Sequence, residues 1–380
     1  MTHQPLLDAL TQLLGADGVL ADSVSRDFYA NDVFWQPGVR PLAILRPQTA
    51  EEAAAAVTLA TAAGVAIVPR GGGMSYTKGY LPPHDHAVVV DMRRMDRVIE
   101  LNAEDRYVTV EAGCSWAKLH EALEGTGLRT PYWGPLSGIN ATIGGALSQN
   151  SAFFGSTYHG TVAESVIGVT AVLADGSVVV TGSGGRNNAK PFTREGGPDM
   201  TGLFLGDTGA FGLKLAATLK LIPQPASHGY LSFGFPTIQA MAEAQVAMAR
   251  ARLVAEGFGI DRTKAEHSAS VNRISEGLQI LSSVASSGKT MLGGLKDAIS
   301  VAAGGTSFLK DHAFTLHLVV ERDSEAELKD ALSRVTALAA RSGGVPLDNS
   351  VPRVMRARPF GPVRGMLGRN GERWVPIHAV

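Results

Sequence analysis

Leu6, Leu7, Leu10, Leu13 and Leu14 recur at helical spacing and predict a short amphipathic helix, followed by an irregular stretch that ends near Pro41. The unbroken apolar run Leu42 to Leu45 predicts a strand. Thr49-Ala50-Glu51-Glu52 then reads as a capping box in which Glu52 reaches back to the Thr49 amide, opening a helix that runs to about Ala63 and stops at Gly64. Further strands are expected at Ala66 to Pro69, Ala87 to Asp91 and Tyr107 to Glu111. Ser115 caps a helix carrying Trp116, Leu119 and Leu123 until Gly125 and Gly127 break it. Val166 to Leu173 and Val178 to Thr181 flank Asp175-Gly176 as a hairpin, and Thr218 to Ile222 is a last strand before Pro223 and Pro225.

Beyond those prolines the pattern changes. Leu231 to Phe235 reads as a strand, Thr237 to Glu256 as an alanine-rich helix, and Phe314 to Glu321 as a strand alternating toward His317. Ser324-Glu325-Ala326-Glu327 is a second capping box, opening a helix with Leu328, Leu332, Val335 and Leu338 on one face. The order of strands and long helices predicts a separate α+β domain, so the chain is expected to divide into residues 1–225 and 226–380. Arg373 to Val380 is strand-like with no terminating turn, which suggests a sequence that stops mid-domain.

Hydrophobic residues make up 45% and charged residues 18%, a balance that excludes a disordered chain. Lys plus Arg (34) nearly cancels Asp plus Glu (35), so no long-range field draws the chain to nucleic acid or an acidic membrane, and small molecules are the expected partners. The single cysteine, Cys114, excludes an internal disulfide and a cysteine-based zinc site. Residues Met1 to Pro5 show no secretory signal and no stretch approaches the ~18 apolar residues of a membrane span, so a cytoplasmic protein is expected.

The 44 glycines cluster. Arg70-Gly71-Gly72-Gly73-Met74-Ser75-Tyr76 follows a buried strand, where bare amide N–H groups form a nest suited to a diphosphate and Ser75 adds a hydroxyl. A tight glycine turn without a ligand answers the same pattern. A second run, Pro135 to Gly145, offers small side chains, turns and hydroxyls able to wrap a flat ring and a ribityl chain, and Ser148-Gln149-Asn150 to Gly155 extends it. A third, Gly206 to Lys214, exposes main chain that can read an adenine edge. Other motifs fail. Ser287-Gly288-Lys289-Thr290 has Ser283 where a P-loop needs glycine, and Gly182 to Asn187 lacks the third glycine of a dinucleotide fingerprint. His84-Asp85-His86 has the makings of a metal pair, although a polar loop before a strand accounts for it as well.

These pieces resemble the FAD-binding domain of the vanillyl-alcohol oxidase and p-cresol methylhydroxylase (PCMH) superfamily, the FAD-linked oxidases, over about residues 40 to 225. The likeness rests on Pro69 to Ser75, on Ala141-Thr142-Ile143-Gly144-Gly145 with Asn150, on Tyr158-His159-Gly160 leading to Val172 to Gly176, and on Gly206 to Gly212 with Ala217 to Lys220. It implies an α+β PCMH-type domain of two subdomains clasping FAD, followed by an α+β cap domain that is incomplete at the C-terminus. It also implies that Arg70, Gly71, Gly72, Gly73, Met74 and Ser75 cradle the pyrophosphate. Pro135, Ser137, Gly138, Ala141, Thr142, Gly144, Gly145, Asn150 and Gly155 would line the ribityl chain and flavin, with Gly209, Gly212 and Leu213 near the adenine. Relatives that bond flavin from the glycine loop carry His where this chain has Met74, and a Cys near Ile139. Neither is present, so FAD is expected to be non-covalent there, while attachment through the cap stays open. Gly371 to His378 resembles a cap strand of longer members.

The resemblance implies an FAD-dependent oxidase or dehydrogenase acting on CH–OH groups by hydride transfer to flavin N5. A lactate- or glycolate-like 2-hydroxy acid is the first choice of substrate. Its carboxylate would need a cationic clamp, with Arg353, Arg356, Arg358, Arg364 and Arg373 as candidates. His159 is the expected proton acceptor, with His317 and His378 behind it. Alternatives are a para-substituted phenol, lined by Tyr132-Trp133 and Phe153-Phe154, or a flavin-binding protein without turnover. The expected partners are the substrate and an electron acceptor, whether oxygen, cytochrome or quinone; a homo-oligomer is left open.

Overall fold

The computed structural model describes residues 3–33, 38–186, 189–261 and 312–360. The chain divides into two compact units, Met1–Ser151 with Thr161–Pro223, and Ala152–Gly160 with Gln224–Val380. Both are of the α+β class.

Among the described residues the first unit holds two main sheets and a two-stranded antiparallel pair, Leu128–Arg129 with Ile222–Pro223. In one, β1 (Val19–Leu20), β2 (Ala43–Leu45), β3 (Ala66–Arg70) and β4 (Ala87–Asp91) lie in the order β1-β2-β4-β3, with β4 parallel to both β2 and β3. Every residue of β4 is buried, as a parallel strand covered on both faces requires. Leu10 and Leu14 of helix α1 (Gln4–Leu14) share a core with Ala53, Ala56, Val57 and Ala60 of a later helix, Ala50–Ala62, and with Leu45, Val88 and Val90. Alanine on that helix lets the backbones approach, and each fully buried leucine or valine contributes roughly 1.5–3 kcal/mol. Thr49 caps the helix as expected, accepting from the Glu52 amide at 3.1 Å. Glu52, however, accepts from Gln48 N–H at 2.7 Å and not from Thr49. The carboxylate reaches one residue further back. A short helix, Ser23–Tyr29, occupies part of the stretch expected to be irregular.

The second sheet is antiparallel, made of Val98–Asn102, Tyr107–Glu111, Leu213–Lys220, Val166–Val172 and Val178–Val180 in that spatial order. Its first strand escapes the sequence pattern because it is an edge whose Ile99 and Leu101 face solvent. Asp175-Gly176 makes the expected hairpin, with Gly176 at φ +85°.

The second unit is a four-stranded antiparallel sheet in the order Glu256–Asp261, Phe314–Arg322, Ser227–Phe235, Val345–Pro346. Helices Ile238–Arg250 and Glu325–Arg341 cover one face, burying Phe233, Phe235, Leu316, Leu318 and Val320 against Met248, Leu328 and Val335. The first of these helices was expected to reach Glu256. It stops at Arg250 because Arg252 turns into the left-handed region (φ +50°), which sends Leu253 and Val254 into the core and starts a strand at Glu256. Helix Ser350–Ala357 was not anticipated.

The sheet face away from those helices carries Ser232, Thr315 and His317. His317 is fully buried, its Nδ1 3.0 Å from Ser232 Oγ and its Nε2 3.0 Å from Thr315 Oγ1, and burial pushes its pKa down to about 3. The unfolded chain, with an imidazole near 6.5, therefore binds the extra proton, so the contribution of a neutral His317 is complete above about pH 6.5 and is lost as pH falls toward 3. Moving from pH 7 to 5 is expected to cost the second unit about 2 kcal/mol. Urea midpoints of the parent and His317→Gln at both pH values check this, and an equal drop in the two proteins would overturn it.

Candidate functional site

The parallel strand β3 ends at Arg70 and releases the chain into Gly71-Gly72-Gly73. Arg70 does not point outward. Its guanidinium turns back, donating to the carbonyls of Tyr29 (3.0 Å) and Asn31 (3.4 Å), and lies over the rings of Tyr29 (4.8 Å) and Tyr80 (4.6 Å). Burial lowers its pKa from the ordinary arginine value. Tyr29 in turn donates to the buried Asp91 at the end of β4, which also pairs with Arg93 at 2.7 Å. Arg70 thus anchors the loop from below and leaves the ligand side to main chain. Tyr80, its phenol pushed up to about 12 by burial, has its oxygen 2.9 Å from the Gly73 carbonyl and 2.7 Å from that of Ser75, and accepts from Val33 N–H at 3.1 Å.

Among the described residues no main-chain carbonyl takes the N–H groups of Gly72, Gly73, Met74 or Ser75. Gly73 sits at φ +67°. Buried donors rarely go unpaired, so a run of free ones at the surface of a unit is a feature suited to an anion.

The second glycine-rich run packs directly on the first. A Cβ on Gly71 would fall 2.1 Å from Thr142 Oγ1, and one on Gly72 would fall 1.7 Å from the Asn140 carbonyl oxygen. Only glycine lets these strands of main chain meet. Thr142 caps the helix Ile143–Gln149, and Gly144 lies close enough to Ala112 that a Cβ would come within 2.8 Å of its methyl group. Leu136, Ile139 and Asn140 are exposed above this floor. At the far end of the helix, Gln149 Oε1 accepts from Ser75 (3.3 Å) and Thr77 (3.1 Å), tying the two runs again.

The third run closes the set. Gly206 and Thr208 donate to the carbonyls of Leu147 (2.9 Å) and Ser148 (2.8 Å), and Gly209, at φ +85°, passes so near Pro69 that a Cβ would lie 3.0 Å from its ring. Asp207 shapes this loop, accepting from Gly209 N–H (3.1 Å) and Phe211 N–H (3.3 Å), and pairs with Lys214 at 2.6 Å, both buried. Neither was singled out for this role, because the pairing is visible only once the loop is folded. Leu213 has its side chain in the core, and a Cβ on Gly212 would meet the Val172 carbonyl at 2.9 Å, so these two offer main chain only.

Two predicted site residues group with the second unit. Gly155 and His159 lie on Ala152–Gly160, which packs with the second unit, where His159 meets Tyr158 edge to face at 4.9 Å and Arg252 covers Tyr158 at 5.1 Å. The aromatic group Tyr132, Trp133, Phe153 and Phe154 is likewise divided. Tyr132 packs on Trp116 inside the first unit, and Phe153 and Phe154 belong to the second. Of the candidate clamp arginines, Arg356 is held by Glu256 (2.6 Å) and Glu321 (2.7 Å), and Arg353 lies over Tyr230. Arg364, Arg373, His378, the strand-like segment 371–378 and the Ser287–Thr290 motif lie outside the described residues.

Three separated loops bring free amides, a glycine floor and hydroxyls to one edge of one unit, a cradle that fits the diphosphate of a flavin dinucleotide. This is a nucleotide-cofactor domain of two α+β subdomains. Residues 41–182 match the family described as FAD binding domain. The chain is 29% identical to the glycolate oxidase subunit GlcD of Bacillus subtilis, covering 64% of this chain and 50% of the relative. It is 28% identical to a probable mitochondrial D-lactate dehydrogenase of Danio rerio, covering 65% and 48%. The chain therefore spans about half the length of the curated relatives it matches. Among solved structures, p-cresol methylhydroxylase with substrate bound superimposes with a TM-score of 0.70 at 18% identity, over 93% of this chain and 68% of that one, a likeness of fold. Residues 41–182 are thus an FAD binding domain, with FAD as its cofactor, and the chain is similar to FAD-linked oxidoreductases. Among the described residues no helix is long and apolar enough to cross a membrane.

Proposed function

We propose that this chain is an FAD-dependent oxidoreductase that oxidises a small 2-hydroxy acid. The observation that carries the reading is the meeting of the three glycine-rich loops around amides that no main-chain carbonyl takes among the described residues. The names of the relatives, glycolate oxidase and D-lactate dehydrogenase, point to the substrate class. In this reading the N–H groups of Gly71 to Ser75 hold the diphosphate. Pro135, Ser137, Gly138 and the segment Ala141 to Gly145 flank the ribityl chain, and the main chain of Gly209 to Leu213 approaches the adenine. With Met74 and Ile139 where covalent members carry His and Cys, the chain offers no nucleophile there. FAD supplies hydride acceptance, and the protein supplies position and a dry, shaped surround.

The test is direct. The purified protein should show flavin absorbance, and under anaerobic conditions without any acceptor lactate or glycolate should bleach it, an artificial acceptor then restoring the colour, whereas vanillyl alcohol should not bleach it. Colourless protein sinks the cofactor assignment; yellow protein bleached by vanillyl alcohol and not by hydroxy acids sinks the substrate class.

Tyr80 gives a finer check on the cradle. Tyr80→Phe removes the single O–H proton that the Gly73 and Ser75 carbonyls share, a hydrogen bond of about 1 kcal/mol, so FAD should dissociate roughly 5-fold more readily with little change in melting temperature. Fluorescence titration of deflavinated protein reads this, and unchanged affinity would remove Tyr80 from the cradle.

A further inference from the structure

We propose that His3, His84 and His86 form a binding site for one divalent transition-metal ion of the zinc or nickel kind, remote from the flavin cradle. His3 immediately precedes helix α1, whose Leu10 and Leu14 are locked in the core, and His86 immediately precedes β4, its carbonyl accepting from Ala66 N–H at 3.1 Å. The main chain of both is therefore held in place although they are 83 residues apart. The fold brings His3 Nε2 to 3.3 Å from His86 Nδ1, with ring centroids 4.7 Å apart.

That separation admits a hydrogen bond between the two ring nitrogens when no ion is bound. It matches the about 3.3–3.4 Å between two nitrogens that each lie about 2.0–2.1 Å from a tetrahedral zinc ion. His84 supplies the third imidazole. It stands in the same loop, after Pro82-Pro83, with its ring centroid 6.5 Å from that of His86. Among the described residues no three metal-ligating groups already converge, so His84 must rotate about its side-chain bonds to complete the set. It is exposed to solvent. Three imidazoles and a water make a coordination sphere that zinc and nickel favour.

His86 stands at the start of β4, whereas the glycine loop leaves the end of the parallel neighbour β3. Five residues of strand place the two about 17 Å apart, so metal and flavin do not compete. A bound ion would pin α1 to the sheet and stabilise the first unit by mass action.

The experiment uses the tag-free, FAD-loaded full chain after treatment with chelator. Zinc titrated by calorimetry should bind at one ion per chain, and a 100-fold excess over Kd should raise the melting temperature by about 5 °C. His3→Ala and His86→Gln should each weaken binding at least 10-fold and abolish the rise, and His84→Ala should weaken it less, all with unchanged flavin content. No saturable binding below 1 mM zinc (a limit of roughly 4 kcal/mol), or binding unaltered in the His3→Ala/His86→Gln double variant, would overturn the proposal.

Discussion

Alanine at Gly72 should strip the protein of flavin. The added Cβ would lie 1.7 Å from the Asn140 carbonyl oxygen and 2.5 Å from its carbon, both main-chain atoms with no side-chain rotation to relieve the overlap. The loop or the Asn140 segment must then move by roughly 1.5 Å to restore van der Waals contact. Amides aimed at a diphosphate tolerate no such shift. Losing two charge-assisted hydrogen bonds at about 1.5–3 kcal/mol each predicts FAD binding at least 100-fold weaker. Gly125→Ala is the matched control, because Gly125 is also at positive φ (+75°) but a Cβ there meets nothing within 4 Å. It should cost some stability through backbone strain and leave flavin content alone. Flavin-to-protein absorbance ratios, with circular dichroism to verify folding, decide the matter. Stoichiometric FAD in Gly72→Ala would refute the placement of the diphosphate.

The second large effect is expected in the other unit. Arg356 lies between Glu256 and Glu321, at 2.6 and 2.7 Å, with side-chain exposures of 14%, 5% and 6%. Burial pushes the guanidinium pKa down, and the two carboxylates outweigh that and hold it above the ordinary arginine range. Arg356→Met removes the cation held between the buried Glu256 and Glu321, which should destabilise the second unit by about 3–5 kcal/mol. The triple variant Arg356→Met/Glu256→Leu/Glu321→Leu should recover most of that loss, since apolar residues of similar volume replace a buried ion group at little net cost. Urea unfolding measures both. If the triple variant is no more stable than the single one, packing by the arginine stem and not charge would be the source of the effect.

The arginine shows where reading the sequence stops. Arg356 is a candidate for a substrate clamp only while its partners are unknown, and they lie 100 and 35 residues away. Arg70 shows the same limit at the cradle. Its neighbourhood of glycines is plain in the sequence, but nothing in residues 70 to 76 reveals that its side chain folds back onto Tyr29 and Tyr80. By contrast, Ser115, Thr142, Thr237 and Ser324 all cap the helices that follow them, because a cap is a bond between residues three apart.

By itself the sequence determined what depends on neighbours along the chain. The three glycine-rich runs, the Asp175-Gly176 turn, the helix caps and the strand feeding Gly71 all follow from steric freedom, local hydrogen bonding and hydrophobic period. Only the tertiary structure decided that Gly71 and Gly72 press on Asn140 to Thr142, that Lys214 is taken by Asp207, and that Ala152–Gly160 packs with the second unit. Those outcomes rest on contacts between residues tens of positions apart, where burial and charge pairing, not local conformation, select the partner.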